Sequence, residues 1–295
     1  MKYKKINNIK IAINEDQEEF IFITSKHLTE CIEYINLHPK TKVIVRDLYE
    51  EDNISFLKEC TNVQEITLDC QFIKDLSGLN YLKKIRSLSL SETTIIDGKN
   101  TIDLEAESFT SLEVLYLTWS KKIKGMHSLK NLKELCIWKY APKECDLTEF
   151  ANLCQLENLI IRQAKIHSLK GIENLKNLKE LELSYIRTLE TIRDLTELGA
   201  KLKRLEISSC KHIKDFDSLK YMEALEVLMF DKCGEIPSID FVKELYNLKH
   251  FVFPDTIILN GDITPCFHIN YVYFDNKKHY SHKWDDFDNW VNMVK

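Results

Sequence analysis

The feature that most constrains this chain is a segment of form L-x-x-L-x-L, as in Leu112-x-x-Leu115-x-Leu117, which returns along most of its length. Its first apolar position falls at Val63, Ile85, Leu112, Leu132, Leu156, Leu178, Leu202, Leu225, Leu248 and Ile269, at intervals of 22, 27, 20, 24, 22, 24, 23, 23 and 21 residues. All three template positions are apolar in every copy, although only 44% of the chain is hydrophobic, so this is a repeat rather than an accident of composition. Upstream, Val43 and Val45 lie 23 residues before Ile66 and Leu68, and Ile21 and Ile23 lie 22 before those, as degenerate N-terminal copies.

Each copy supplies a short strand. Its L-x-L side chains point to one face and the residues between them to the other, because successive side chains on a strand alternate. A further apolar residue usually sits three positions earlier (Leu82, Phe109, Leu129, Leu153, Leu175, Met222, Leu245), in segments such as HSLKNLKEL and GIENLKNLKEL that suit a short helix or turn on the outer side. One repeat cannot bury its apolar face alone, so consecutive repeats must stack and share a core.

The segments VQEITLDCQFI, LEVLYLTWSKKI, LKELELSYIRTL, LKRLEISSCKHI and LEVLMFDKCGEI resemble leucine-rich repeats of a bacterial, internalin-like type over roughly residues 40 to 275. The resemblance implies an α/β leucine-rich repeat solenoid, a horseshoe with a parallel concave β-sheet and short helices or turns on the convex side. The position that usually carries an Asn ladder instead holds Gln71, Thr93, Ser120, Tyr140, Ala164, Ile186, Cys210 and Cys233, and the two cysteines are similar to the cysteine-containing repeat class. Without Asn side chains, the turns after Ile137, Ile161 and Leu183 must satisfy their backbone groups in another way.

The expected organisation is an N-terminal cap over 1–40, repeats over 41–275 and a C-terminal cap or tail over 276–295, forming one structural domain. The cap contains an alternating KIAINE segment, the FIFIT strand and a helical HLTECIEYINLHP. The long interval containing SETTIIDGKNTIDLEAES implies an insertion between two strands, near residues 92–107. HYSHKWDDFDNWVNM is expected to fold over the last repeat, because an end repeat otherwise leaves its apolar face open.

A formal net charge of −5 provides no electrostatic footprint for displacing counterions from nucleic-acid phosphates, so nucleic acid is not an expected partner. The basic start MKYKKINNIK lacks the apolar run of a secretory signal, and no stretch has the length of a membrane span, which leads to the expectation of a cytoplasmic protein that binds no membrane. Nine cysteines in no clustered spacing read as small buried hydrophobes.

No phosphate-binding glycine loop, nucleophile elbow or H-E-x-x-H motif is present, so neither an enzyme nor a cofactor is expected. His279 and His282, followed by Asp285 and Asp286, have ligand-like spacing, but the preferred reading is a solvated polar segment with no metal. Asp285, Asp286 and Asp288 likewise read as charged surface rather than acid–base machinery.

The expected function is protein binding on the concave face. The candidate residues there are Tyr116, Trp119, Trp138, Arg162 and Tyr185, taken as neighbours at corresponding strand positions, because Trp, Tyr and Arg dominate interface energetics. The alternative for Trp119 and Trp138 is burial under a loop or against one another. The carboxylates Glu65, Asp69, Glu134, Glu180, Glu182 and Glu206 on the same face favour a basic partner, such as a toxin or enzyme. In its sharper form the expectation is an inhibitor or immunity protein that neutralises a toxin by covering it. A scaffold or signalling adaptor is the alternative, and a host-directed effector enzyme is a weaker third.

Overall fold

A computed structural model describes residues 2–6, 8–96, 102–105 and 107–287, and divides them into two compact units, Met1–Ile137 and Trp138–Lys295. In the first unit the strands Lys2–Ile6, Ile9–Ile13 and Glu19–Ile23 form an antiparallel meander. Glu19–Ile23 then pairs in parallel with Lys42–Val45, and Glu65–Leu68, Ser87–Leu90 and Val114–Thr118 follow in the same sense. In the second unit Asn158–Arg162, Glu180–Ser184, Arg204–Ser208, Val227–Asp231, His250–Phe253 and Tyr271–Phe274 are parallel neighbours in that order. The strand Glu134–Trp138 runs across the division between the units. The chain is a leucine-rich repeat solenoid.

The L-x-L residues form the core on one face of these sheets. Ile66, Leu68, Leu88, Leu90, Leu115 and Leu117 are buried in the first unit, and Leu159, Ile161, Leu181, Leu183, Leu205, Ile207, Leu228 and Phe230 in the second. The outer segments are mostly 3₁₀ turns of three to six residues, for example Ser77–Tyr81, Arg193–Leu198 and Phe216–Tyr221. Such short pieces do not repay the cost of nucleating an α-helix. Their apolar residues recur every third position because side chains at i and i+3 eclipse in a 3₁₀ helix. In one repeat Leu219, Met222 and Leu225 face inward in this way, with the Met222 amide donating to the Leu219 carbonyl at 2.9 Å and the Leu225 amide to Met222 at 3.0 Å.

In the second unit the position expected to hold an Asn ladder is buried, and Thr256 and Cys233 there act like Asn. The Thr256 hydroxyl donates to the Phe230 carbonyl at 3.1 Å and accepts from the Cys233 amide at 3.1 Å, and the Cys233 thiol lies 3.1 Å from the Ile207 carbonyl. In the first unit the register shifts. Gln71 and Thr93 are exposed, and the buried pair is Cys70 and Thr94, where the Thr94 hydroxyl bridges the Leu68 carbonyl and the Cys70 amide at 3.0 Å each. The turns there differ in length from those of the second unit, so counting a fixed offset from the last strand leucine selects the wrong residue.

Beyond the turns that follow Ile137, Ile161 and Leu183, backbone geometry supplies the missing hydrogen bonds. Lys139, Gln163, Tyr185, Ser209 and Lys232 all have positive φ, between 53° and 58°. The amides of the first four donate to the carbonyl that ends the next strand, as from Gln163 to Ser184 and from Tyr185 to Ser208, both at 2.8 Å, and that of Lys232 to Pro254, just past the strand His250–Phe253.

At the N-terminus the expected helix is present as Leu28–Leu37, against which the strand Glu19–Ile23 packs. The insertion is described only at its flanks, as the helix Glu92–Ile96 and the strand Ile102–Asp103, which pairs with Ile123–Lys124. Residues 97–101 and 106 lie outside the described residues, as does Asp288.

The segment HYSH closes the last repeat. His279 Nε2 lies 2.9 Å from the Ile258 carbonyl, the Tyr280 hydroxyl accepts from the Ile258 amide at 3.0 Å, and the Ser281 amide donates to Gly261 at 2.8 Å. Gly261 is required at that contact, since its φ is +67° and an added Cβ would lie 2.2 Å from the His279 carbonyl oxygen. Phe287 completes the closure, stacked on Phe267 with centroids 5.1 Å apart.

Candidate functional site

The sheet face opposite the core carries the candidate residues, and parallel pairing sets which of them share a register. In the second unit Asn158, Glu180, Arg204, Val227, His250 and Tyr271 form one row across the strands, and Ile160, Glu182, Glu206, Met229, Val252 and Tyr273 form the next. Arg162 belongs to a third row and pairs with Ser184.

The five aromatic and cationic candidates therefore do not occupy corresponding positions. In the first unit Tyr116 lies inside its strand, between two core leucines, whereas Trp119 lies past the strand's end at Thr118. In the second unit Trp138 and Arg162 are each the residue after the last core position of their strands, and Tyr185 is one residue further on, in a left-handed turn, with 57% of its surface exposed. The four strands all end one residue past their last core position, so the offset lies in the sequence: Tyr116 precedes that position, Trp138 and Arg162 follow it by one residue, and Trp119 and Tyr185 by two.

Two of these residues are brought together. The Arg162 guanidinium lies over the Trp138 ring, 5.4 Å from its centroid, and is held from the other side by Glu182 through Nε–Oε1 and Nη2–Oε2 contacts of 3.0 and 3.1 Å. The Ser184 hydroxyl donates to the same carboxylate at 3.0 Å. A planar fork gripped by a carboxylate and stacked on an indole is held in one orientation, so it meets a partner already ordered. Trp138 and Arg162 are both half-buried, which leaves part of each for contact.

The acidic candidates are largely claimed by neighbours within their own units. Glu65 is bridged by Lys42 Nζ at 3.0 Å, and Asp69 by Arg46 at 3.6 Å and the Thr93 hydroxyl at 2.9 Å. Glu134 accepts from the Tyr116 hydroxyl in a short contact; burial first and this carboxylate second push the phenol's pKa upward. Glu182 is held by Arg162, and Glu206 pairs with Arg204. The Glu180 carboxylate alone of the six has no hydrogen bond or ion pair among the described residues, and it borders a depression of about 220 Å³ lined by Asn158, Ile160, Glu182, Arg204 and Glu206.

The sequence reading missed the start of the first unit's face. Phe20 and Phe22 lie half-buried on it, Lys10 and Lys42 sit over their rings, and a depression of about 580 Å³ runs from Phe20 and Lys42 to Tyr116 and Glu134. The signal is present in the alternation of FIFI, whose isoleucines fit a degenerate repeat and whose phenylalanines therefore face the other side.

Among the described residues no group of three or more His, Cys, Asp or Glu is placed to hold a metal, and the His279 ring is engaged with the Ile258 carbonyl. Burial pushes the thiols of Cys60, Cys210 and Cys233 upward in pKa, to about 12, 11 and 12, away from the thiolate form a nucleophile needs. No helix among the described residues is long and apolar enough to cross a membrane.

No family profile matches the chain, and no curated protein matches its sequence. Among solved structures it is similar to an internalin (inlF) from Listeria monocytogenes, at 19% identity and a TM-score of 0.58, over 83% of this chain and 72% of the internalin. It is also similar to a leucine-rich repeat protein of Leptospira interrogans, at 17% identity and a TM-score of 0.53, over 80% of this chain and 65% of that one. Identities this low speak to architecture alone, and by architecture the chain shares the leucine-rich repeat solenoid of these bacterial proteins.

Proposed function

We propose that the chain is a non-catalytic binding module that holds a partner protein on the sheet face opposite its core, and that it acts as an inhibitor or immunity protein which neutralises a toxin by covering it. The observation that carries this reading is the Trp138–Arg162–Glu182 stack, an ordered aromatic and guanidinium pair standing half-exposed on a rigid sheet. Such pairs lose little side-chain entropy on binding and are the residue types that concentrate interface energy. Coverage of a partner needs a surface and no reacting group. Glu180, unclaimed beside its depression, supplies an open negative charge for a lysine or arginine of a basic partner.

The test is affinity capture from native cytosol with the wild-type chain and with a Trp138→Ala/Arg162→Ala variant, its fold checked by circular dichroism. One stoichiometric protein, held by the wild type and weakened by about 2 kcal/mol or more in the variant, is the expected result. If that protein is an enzyme, its activity falls in the complex. Equal retention by both baits moves the interface off this face and overturns the proposal.

A further inference from the structure

The N-terminal meander carries a surface of opposite character. Pairing places Lys5 opposite Lys10, Lys10 opposite Phe22, Tyr3 opposite Ala12, and Ala12 opposite Phe20, so all six share the face opposite the core. Ala12 is fully buried beneath this layer, while Tyr3 stays 60% exposed and Phe20 and Phe22 are half-buried. The Lys10 ammonium lies between two rings, 4.6 Å from the Tyr3 centroid and 4.7 Å from that of Phe22.

Several other cations of the first unit are already neutralised by carboxylates. Lys42 is held by Glu18 and Glu65 at 2.9 and 3.0 Å, Lys4 by Glu19 at 2.8 Å, Arg46 by Asp69, and Arg86 by Glu113. Lys5 and Lys10 have no carboxylate partner among the described residues. The acidic residues of the meander do not reach them: Glu15, Asp16 and Glu18 lie in the connection after Ile13, at the other end of the strand from Lys10, and Glu19 points to the opposite face and is taken by Lys4.

From this juxtaposition we infer that the meander face is a docking platform for an acidic, aromatic or aliphatic segment of a partner protein, whose carboxylates meet Lys5 and Lys10 while its apolar side chains lie on Tyr3, Phe20 and Phe22. The inference rests on the reading of the sheet face as a binding surface and names the chemistry of one part of it. Complementarity decides the occupant: two unneutralised ammonium groups flanking three rings fit alternating carboxylates and apolar groups. A nucleic-acid strand is the poorer fit, because two free cations in a chain of net charge −5 release few counterions. The depression that begins at Phe20 and Lys42 is lined further along by Glu65, Glu113 and Glu134, so an acidic segment is confined to the meander end of the face.

The experiment measures, by fluorescence anisotropy on the full chain, binding of a short labelled peptide that alternates Glu with Phe. A Lys/Phe peptide of the same pattern and a single-stranded oligothymidine serve as competing probes. Saturable binding of the acidic peptide, weakened about tenfold or more by Lys5→Glu/Lys10→Glu and falling with salt, is the expected result. Both lysines are exposed, so the variant keeps its fold; Lys5→Arg/Lys10→Arg restores binding if charge is the cause. Equal binding of the two peptides, or binding unchanged by the reversal, overturns the platform, and so does preferential binding of the oligonucleotide. The Trp138→Ala/Arg162→Ala variant separates the two proposals: it keeps the acidic peptide if the platform is real, whatever becomes of the protein captured on the second unit.

Discussion

The two units close their repeats by different means. In the second unit a residue in the left-handed region follows five successive strands, at Lys139, Gln163, Tyr185, Ser209 and Lys232, and each amide reaches forward to the last residue of the next strand or, for Lys232, to Pro254 just beyond it. In the first unit the amides of Asp69 and Ser91 reach back, to the carbonyls of Val45 and Leu68 at 2.9 and 3.0 Å, and the repeats have no positive φ at the equivalent turns. None of the five forward-reaching residues is glycine, so each repeat accepts a backbone cost of roughly 1 kcal/mol to keep its ladder continuous. Spacing follows the turn. The second unit holds intervals of 21 to 24 residues, whereas the first contains the intervals of 27 and 20.

The units also differ in what fills the core. The first is lined mainly by Val, Ile and Leu, while the second gathers Phe216, Phe230, Phe241, Phe251, Phe253 and Phe274 toward its end, with Phe230 edge-on to Phe251 at 5.9 Å. The largest expected effect tests this cluster. Phe230→Ala should cost about 3–5 kcal/mol in urea denaturation, with hydrogen exchange rising first in the strands Val227–Asp231 and His250–Phe253. A loss under about 1 kcal/mol would mean that the ring contacts are not what holds these repeats.

A second comparison sets matched hydroxyls against each other. Thr94 in the first unit and Thr256 in the second are buried, and each donates to a strand-end carbonyl while accepting a backbone amide. Thr94→Val and Thr256→Val should each cost about 1–3 kcal/mol, because the buried Cys70 and Cys233 amides lose their hydroxyl acceptors. Equal losses would show that the two turn types lean on the same ladder. A much smaller loss at Thr256 would mean that the left-handed turn carries the second unit without it.

The turn difference itself predicts opposite signs for one kind of substitution. Lys232→Gly should stabilise by roughly 0.5–1 kcal/mol, because glycine adopts positive φ without strain. Gln71→Gly, in a turn of the first unit without positive φ, should destabilise by a similar amount through the entropy of the unfolded chain. Thermal midpoints of the two variants check this, and shifts of the same sign would contradict the distinction.

The smallest effect concerns a device the units share. Lys133 and Arg86 clasp Glu113, and Lys249 and Lys203 clasp Glu226, and in each case these bonds hold the carboxyl below its ordinary pKa of 4.5. A depressed folded pKa means the contribution is present above the unfolded value and lost as pH falls through the folded one. Glu113→Gln and Glu226→Gln should therefore flatten the acid side of the stability profile below about pH 4.5 slightly and to similar degrees. Acid titration of the two variants beside the wild type measures it.

Much of this molecule was determined by sequence alone. The L-x-x-L-x-L period located the strands, their buried residues and the outer turns, because a leucine every second or third position has one low-energy use in a stacked repeat. The end of the period also led to the expectation of caps at both ends. What the period does not encode is how residues 20 to 24 positions apart meet on the opposite face. Arg162 faces Glu182 and stacks on Trp138, Lys42 reaches Glu65, and Lys5 and Lys10 stay without a carboxylate, and each outcome depends on strand register and side-chain reach. Candidates chosen by charge and aromaticity therefore fall partly in different rows of the sheet face and partly in the turns beyond it, as Trp119, Tyr185 and Asp69 do, with most of the acidic ones already paired. Sequence decides which side chains leave the core, because burial is a local property of the repeat. Tertiary structure decides which of them remain available to a partner, because pairing is settled between repeats.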